Sequence, residues 1–251
     1  MIPYIYKPVL FNIGPINIYT WGFIVFLSFL ISYFLLTKLT KSKKIHNLAF
    51  YIILGAFIGA RLLNYILFYD SYSSFIEIFK IWQGGLEISG GFIGAFIFGF
   101  TYIKLTKLRF WKTADILIIP IVLGIALGRI ACIIGDGGHL GKPTKFFLGT
   151  LVNNQILHYT AVYSFIAMFI LFLFLLYLRN KKFFKTHKGS LFLFAVIYYG
   201  VTRFLIDFTR TDPTYYGLTF AQYACIILFI IGVLFLILNI LKVKKLNPIK
   251  F

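Results

Sequence analysis

Seven stretches of this chain are each close to twenty residues long and almost free of charge, at roughly 19–37, 47–68, 88–104, 113–134, 159–178, 190–208 and 219–241. A helix needs ~20 such residues to cross a bilayer's hydrocarbon core. No water is present there to take backbone hydrogen bonds, so each stretch is expected to satisfy its own N–H and C=O groups as an α-helix. Composition agrees: 60% hydrophobic and 20% aromatic residues leave too little polar surface for a soluble domain. The expected fold class is therefore all-α, a polytopic membrane protein built as a seven-transmembrane-helix bundle and forming a single integral membrane domain over residues 1–251. The first stretch follows a nearly uncharged segment containing proline and precedes no small-residue cleavage site, so it reads as a retained helix rather than a signal peptide. The third, rich in glycine, is the weakest of the seven.

Placement of charge gives the orientation. Of the +18 net charge, Lys38, Lys41, Lys43 and Lys44 follow the first stretch, and Lys104, Lys107, Arg109 and Lys112 the third. Arg179, Lys181, Lys182, Lys185 and Lys188 follow the fifth, and Lys242, Lys244, Lys245 and Lys250 end the chain. These are alternate loops, and basic loops stay in the cytoplasm. The amino terminus is thus expected outside and the carboxyl terminus inside. The opposite loops hold Asp70, Glu77, Glu87, Asp136 and Asp212, while Asp115 alone among the acids sits near the inner end. Residues 135–158 then form an extracytoplasmic, Gly-rich loop cap. Distributed this way, the charge marks topology and attracts anionic lipid headgroups; it is not a nucleic-acid patch.

Arginine breaks the pattern. Lysine outnumbers it nineteen to six, yet Arg61, Arg129, Arg203 and Arg210 lie within or at the outer edge of apolar stretches. A guanidinium in lipid is costly and marks a functional site by default. Its planar fork grips phosphate or carboxylate with two parallel bonds and never loses its proton. A phosphate-bearing lipid is the substrate class this implies. Gly55 and Gly59 precede Arg61, and Gly124 and Gly128 precede Arg129, at a four-residue spacing that lets helix backbones come close. That spacing is expected to draw the two guanidiniums toward a common interior, with plain helix packing as the competing reading. Tyr199, Arg203 and Asp207 fall on one helix face, with Asp207 as the partner that holds Arg203 and Arg210 a turn beyond.

Other chemistries find little support. Cys132 and Cys225 form no CxxC pair and are read as small buried residues, with no metal-ligand set and no cofactor expected. His46 and His187, in basic inner loops, are expected to be solvated, whereas His139 and His158 fall in the outer loop. Neither HExxH, GxSxG nor a phosphate-cradling GKS/T motif occurs. An internal repeat of the kind found in transporters is also missing.

The densest polar motif is GRIACIIGDGGHLGKPT, Gly128 to Thr144, in which glycines permit close backbone approach and Asp136, His139 and Lys142 supply acid, base and cation. With its neighbours it resembles the signature of the prolipoprotein diacylglyceryl transferase family. The same family order runs through GPINIYTWG, GAFIGARLLNYILF, GGLEISGGFIGA, FWKTADILIIPIVLGIALGR, ILHYTAVYS, YYGVTRFLIDFTR and GLTFAQ. The resemblance implies a seven-helix bundle with its amino terminus outside, in the cytoplasmic (inner) membrane of a bacterium. The implied reaction moves the diacylglyceryl group of phosphatidylglycerol to the lipobox cysteine thiol of a prolipoprotein signal peptide and releases glycerol phosphate. By the same resemblance Arg129, Arg203 and Tyr199 are catalytic. Arg61, Arg210, Ser89, Gly90, Gly91, Asp136, Gly141 and Asp207 line the substrate.

Departures from the family pattern are specific. Its HGGL is SGGF here, so Ser89 stands where a histidine suits a base, and Cys132 stands where asparagine is usual. LYE has become VYS, ending in Ser164, and Trp21 replaces a tyrosine before Gly22. His139 is then the expected base, with His158 second. The alternative is a non-catalytic or altered-substrate paralogue that binds or moves anionic phospholipid.

Overall fold

In a computed structural model the described residues are 1–14, 16–72, 74–79 and 85–246. Pro15, Gly84 and Lys250, which belong to the quoted motifs and the basic tail, lie outside them. A hairpin of β1 (Val9–Ile13) and β2 (Ile16–Tyr19) leads directly into α1 (Thr20–Leu39). There follow α2 (Lys43–Leu67), two short 3-10 turns (Tyr69–Ser71 and Phe75–Phe79), α3 (Ile88–Thr106) and α4 (Phe110–Gly135). The segment after α4 holds β3 (Leu140–Pro143), β4 (Thr150–Val152) and β5 (Gln155–Tyr159). Beyond it come α5 (Thr160–Leu178), the short α6 (Lys182–Thr186), α7 (Ser190–Asp207), the hairpin β6 (Thr214–Tyr215) with β7 (Leu218–Thr219), and α8 (Phe220–Leu246).

Six helices are long and apolar enough to cross a membrane: α1, α2, α4, α5, α7 and α8. The fold is that of an all-α, multi-pass membrane protein. Among the described residues α3 is not one of the six. The distribution of burial separates central from peripheral helices: 44% of the apolar window of α4 is buried, against 11% for α1 and for α8. Side chains such as Phe34, Ile227 and Leu238 stand exposed, the arrangement expected where the solvent is lipid.

The chain divides into two compact units, residues 36–113 and the remainder. In the first, α2 and α3 pack through paired glycines. A Cβ on Gly55 would lie 2.5 Å from the Gly94 carbonyl oxygen, and one on Gly59 2.9 Å from the Gly94 Cα. A Cβ on Gly90 would strike the Gly59 carbonyl. The four-residue glycine spacing on α2 therefore serves contact with α3, which is the plain helix packing that the sequence offered as the competing reading. On α4, Gly124 faces Ser32, whereas Gly128 meets nothing within 4 Å.

In the second unit, the segment over 135–158 is more ordered than a loop. β5 is the middle strand of an antiparallel three-stranded sheet, between β3 and β4. The amino terminus joins it, with the Ile2 N–H donating to the Gly149 carbonyl at 3.0 Å. α4 and α7 are tied by Asp115, whose carboxylate accepts the Gly189 and Phe192 N–H groups at 2.5 and 2.9 Å. It thereby satisfies donors that the first turn of α7 would otherwise leave orphaned. His187, expected in solvent, is 5% exposed, stacked on Phe183 with Nδ1 3.0 Å from the Phe183 carbonyl oxygen. His46 is half-buried, its Nε2 2.9 Å from the Thr40 carbonyl oxygen.

Candidate active site

Helix geometry brings the polar residues together. Arg129 on α4, Ser164 and Met168 on α5, and Tyr199, Thr202 and Arg203 on α7 line a narrow cleft of ≈ 10 Å³ whose remaining walls are Ile125 and Ile206. That is about the room a single water needs.

The arginines differ in their partners. Arg203 Nη2 lies 3.0 Å from Asp207 Oδ1, as the four-residue spacing predicted. Arg210 sits 2.7 Å from Asp212 and 3.6 Å from Asp207. Asp207 is buried and also accepts the Thr219 hydroxyl. Arg129 has no carboxylate partner among the described residues. The nearby position that is acidic in the LYE pattern is Ser164, and its hydroxyl donates to the Thr160 carbonyl of its own helix. Arg129 thus retains its capacity for an incoming anion.

Arg61 is arranged otherwise. Only 5% exposed, it donates to the carbonyls of Ile78 (2.7 Å), Glu77 (2.7 Å) and Gly85 (2.9 Å), and its guanidinium lies 5.3 Å from the centre of the Tyr72 ring. The carbonyls of residues 77, 78 and 85 take three of the five N–H donors of the planar fork. Gly90 and Gly91 face α2, Gly90 against Gly59 and Gly91 3.7 Å from the Ala60 Cβ at the position a side chain would occupy. Ser89 is exposed and donates to Glu87 at 3.2 Å. Gly141 gives room for the Thr209 carbonyl, which accepts the Lys142 N–H at 2.8 Å. These glycines read as packing positions.

Just past α4 the backbone takes three consecutive left-handed residues, Gly137 (φ 65°), Gly138 (φ 75°) and His139 (φ 49°). A non-glycine residue held there costs on the order of 1–3 kcal/mol, so the surrounding structure must impose it. It does so by three bonds: Gly138 N–H to the Cys132 carbonyl at 2.7 Å, Ala161 N–H to the Gly138 carbonyl at 3.2 Å, and the Thr160 hydroxyl to the His139 carbonyl. The Tyr159 ring closes over Gly138 and occupies the space a Cβ there would need.

This turn sets His139 Nε2 3.4 Å from Asp136 Oδ2. It also gathers Cys132, Asp136 and His139 with their ligating atoms all within 4.8 Å of one another. Sequence reasoning had kept Cys132 apart as a small buried residue; it is half-buried, whereas Cys225 is buried. The overlooked signal is the spacing C-x3-D-x2-H across a helix end. Burial pushes the His139 imidazole below its ordinary value; Asp136 opposes this, and Arg210, Arg129 and Arg203 reinforce it. The ring is therefore neutral at neutral pH, with a lone pair available to a proton or a cation. His158 is engaged elsewhere, its Nδ1 2.9 Å from the Tyr163 hydroxyl.

Fold and site together define a multi-pass membrane protein with two arginines in one cleft and with a thiol, a carboxylate and an imidazole gathered at the end of α4, which carries the first of those arginines. The sequence model of the prolipoprotein diacylglyceryl transferase family matches residues 8–238, and the chain belongs to that family. Similar relatives include the phosphatidylglycerol–prolipoprotein diacylglyceryl transferase of Bacillus velezensis, 31% identical over 94% of this chain and 93% of its own length. Another, from Clostridium perfringens and bearing the same name with the number 1, is 33% identical over 95% of this chain and 97% of its own. The corresponding transferase of Staphylococcus epidermidis is 30% identical over 97% of this chain and 92% of its own.

Proposed function

We infer that this protein is a phosphatidylglycerol–prolipoprotein diacylglyceryl transferase of lipoprotein biosynthesis. It joins the diacylglyceryl group of phosphatidylglycerol to the lipobox cysteine of a prolipoprotein. The acceptor sulfur forms a bond to the glycerol carbon, the bond from that carbon to the phosphate oxygen breaks, and glycerol phosphate leaves with the electron pair.

The carrying observation is that Arg129 and Arg203 line one cleft while Arg129 lacks a carboxylate partner among the described residues. Fixed guanidiniums aimed at a departing phosphate stabilise its growing charge without reorganisation. Asp207 holds Arg203, Tyr199 offers a hydroxyl from the same wall, and Arg210 with Asp212 extends the cationic rim. Arg61 shapes its own unit through the carbonyls it holds. The acceptor must react as thiolate. His139, neutral and oriented by Asp136, is the base that takes its proton, in place of the histidine that Ser89 has replaced.

In this reading the protein lies in the cytoplasmic membrane of a bacterium as a seven-helix, single-domain bundle that counts α3 as a span. The amino terminus and the 135–158 cap face outward and the basic loops inward.

The test is release of glycerol phosphate from headgroup-labelled phosphatidylglycerol by the purified protein with a lipobox peptide. Arg203→Lys keeps the charge but not the two-pronged grip, so turnover should fall on the order of 10²-fold, as when one transition-state donor is lost. Undiminished turnover in that variant would remove Arg203 from the chemistry. Binding of phosphatidylglycerol without any release by the wild type would favour the lipid-binding paralogue.

A further inference from the structure

We propose that Tyr159 is a positioning residue for the transfer: clamped by the amino-terminal segment, it holds the left-handed turn that carries His139. This role rests on the reading of His139 as the base that takes the acceptor's proton.

The turn is strained at the residue that matters. Gly137 and Gly138 reach positive φ freely, whereas His139, at φ 49°, does not. A glycine would occupy that position at lower cost, so an imidazole kept there points to use of the ring. Strain of this kind persists only where neighbouring groups over-determine the backbone. Tyr159 does so as a chord across the turn. Its backbone pairs with Leu140, the residue after His139, in the ladder between β3 and β5. Its hydroxyl donates to the Ile133 carbonyl in the last turn of α4 at 3.1 Å. One fully buried side chain thus ties both ends of the 133–140 stretch, and its ring fills the space beside Gly138. The next residue, Thr160, donates its hydroxyl to the His139 carbonyl.

The amino-terminal segment closes the clamp. The Ile2 N–H bonds to the Gly149 carbonyl at 3.0 Å and the Lys7 N–H to the Ile134 carbonyl at 2.7 Å, so residues 2–7 run from the outer sheet to the end of α4. Between those anchors the Tyr4 ring lies 6.3 Å from that of Tyr159, tilted by 47°. The Tyr4 hydroxyl comes within 3.2 Å of where a Cβ on Gly137 would stand. Two tyrosines therefore cover two successive glycines, and His139 follows them.

Electrostatics leaves this role to geometry. The charged groups that act on the imidazole are Asp136 on the turn, Arg129 on α4, Arg203 on α7, and Arg210 and Asp212 beyond α7. Cys132 is a titratable neighbour as well. Tyr159 adds no charge, since burial pushes its hydroxyl above the ordinary value and keeps it protonated. It fixes where the ring sits among those charges. Releasing the turn exposes the imidazole and removes the burial that depresses it, so its pKa rises toward the ordinary value.

Two readouts on the full chain in detergent test the assignment. One is the pH dependence of glycerol phosphate release. The other is the titration of His139 by NMR with carbon-13-labelled histidine, its signal identified by its loss in His139→Gln. Tyr159→Leu removes ring and chord, whereas Tyr159→Phe removes the chord and keeps the packing. A misplacement of about 1 Å can cost on the order of 10²-fold in rate. Tyr159→Leu is expected to lower kcat by about that factor with KM little changed, and to move both the acid limb of the rate profile and the His139 titration to higher pH. Tyr159→Phe should do the same to a smaller degree. In a His139→Gln background either substitution should cost much less, because the group being positioned is gone. Melting curves identify a variant that has lost its fold, and Tyr159→Phe then carries the test. An unchanged His139 titration in a folded Tyr159 variant, or an equal loss of rate with and without His139, overturns the assignment and leaves the base in place. A shifted titration, combined with rate and profile untouched by His139→Gln, upholds the clamp and defeats the reading of His139 as base.

Discussion

Arg203, Arg210 and Arg129 carry the same charge in different surroundings, and those surroundings decide what each can do. Arg203 and Arg210 share Asp207, and Arg210 also grips Asp212, a residue the sequence offered merely as an outer-loop acid. The hydrogen bond from Arg210 holds the Asp212 carboxyl below its ordinary value against the opposing effect of burial. A lowered carboxylate pKa contributes stability that is present above the ordinary value of about 3.9 and disappears as pH falls through the folded-state value. Asp212→Asn should therefore flatten the acid end of a melting-temperature profile taken from neutral pH to below pH ~4. Because the side chain is 39% exposed, the effect should be about 1 kcal/mol or less. A variant profile parallel to the wild type throughout would show that the pair contributes nothing. The Arg203–Asp207 pair was legible from a four-residue spacing because helix geometry is local. The fate of Arg61 was not, since its carbonyl partners lie 16 to 24 residues away, outside its own helix.

Helix ends and the helices' apolar stretches agree to within a few residues, for hydrophobic length and helix length are the same quantity in a bilayer. Their glycines required the partner helix to be interpreted. Gly59 on α2 and Gly90 and Gly94 on α3 touch backbone to backbone, so a methyl group has nowhere to go. Gly59→Ala should destabilise the protein by about 1–3 kcal/mol, the usual result of overpacking, read as a lower denaturation midpoint in mild detergent. It should do so without altering the pH dependence of any remaining turnover, and an unchanged midpoint would mean that the two helices are not in close contact. The strands over 135–158 were invisible for a different reason. Segments of three to five residues carry too little alternation to announce themselves, and their pairing joins residues distant in sequence.

At the scale of the whole chain, the alternation of basic loops predicts an orientation. Reporter tags placed after Lys44, Lys112 and Lys185 should be cytoplasmic, and Lys145 should react with an impermeant amine reagent added from outside. Protection of Lys145 in intact cells would reverse the orientation and put the 135–158 cap on the wrong side for an exported acceptor. Apolar length and basic-loop alternation were sufficient to make this a multi-pass helical membrane protein, and the ordered motif blocks were sufficient for its family. Both are properties of residues taken singly or along one helix, and solvent acts on them directly. Tertiary structure decided that Arg61 is held by carbonyls while Arg129 keeps its capacity for an anion. It also decided that Gly55, Gly59 and Gly90 seal two helices together, and that Cys132 meets Asp136 and His139 around a left-handed turn. Those outcomes depend on which groups compete for each hydrogen bond and on how closely two backbones approach, and such competition exists only once the chain has folded back on itself.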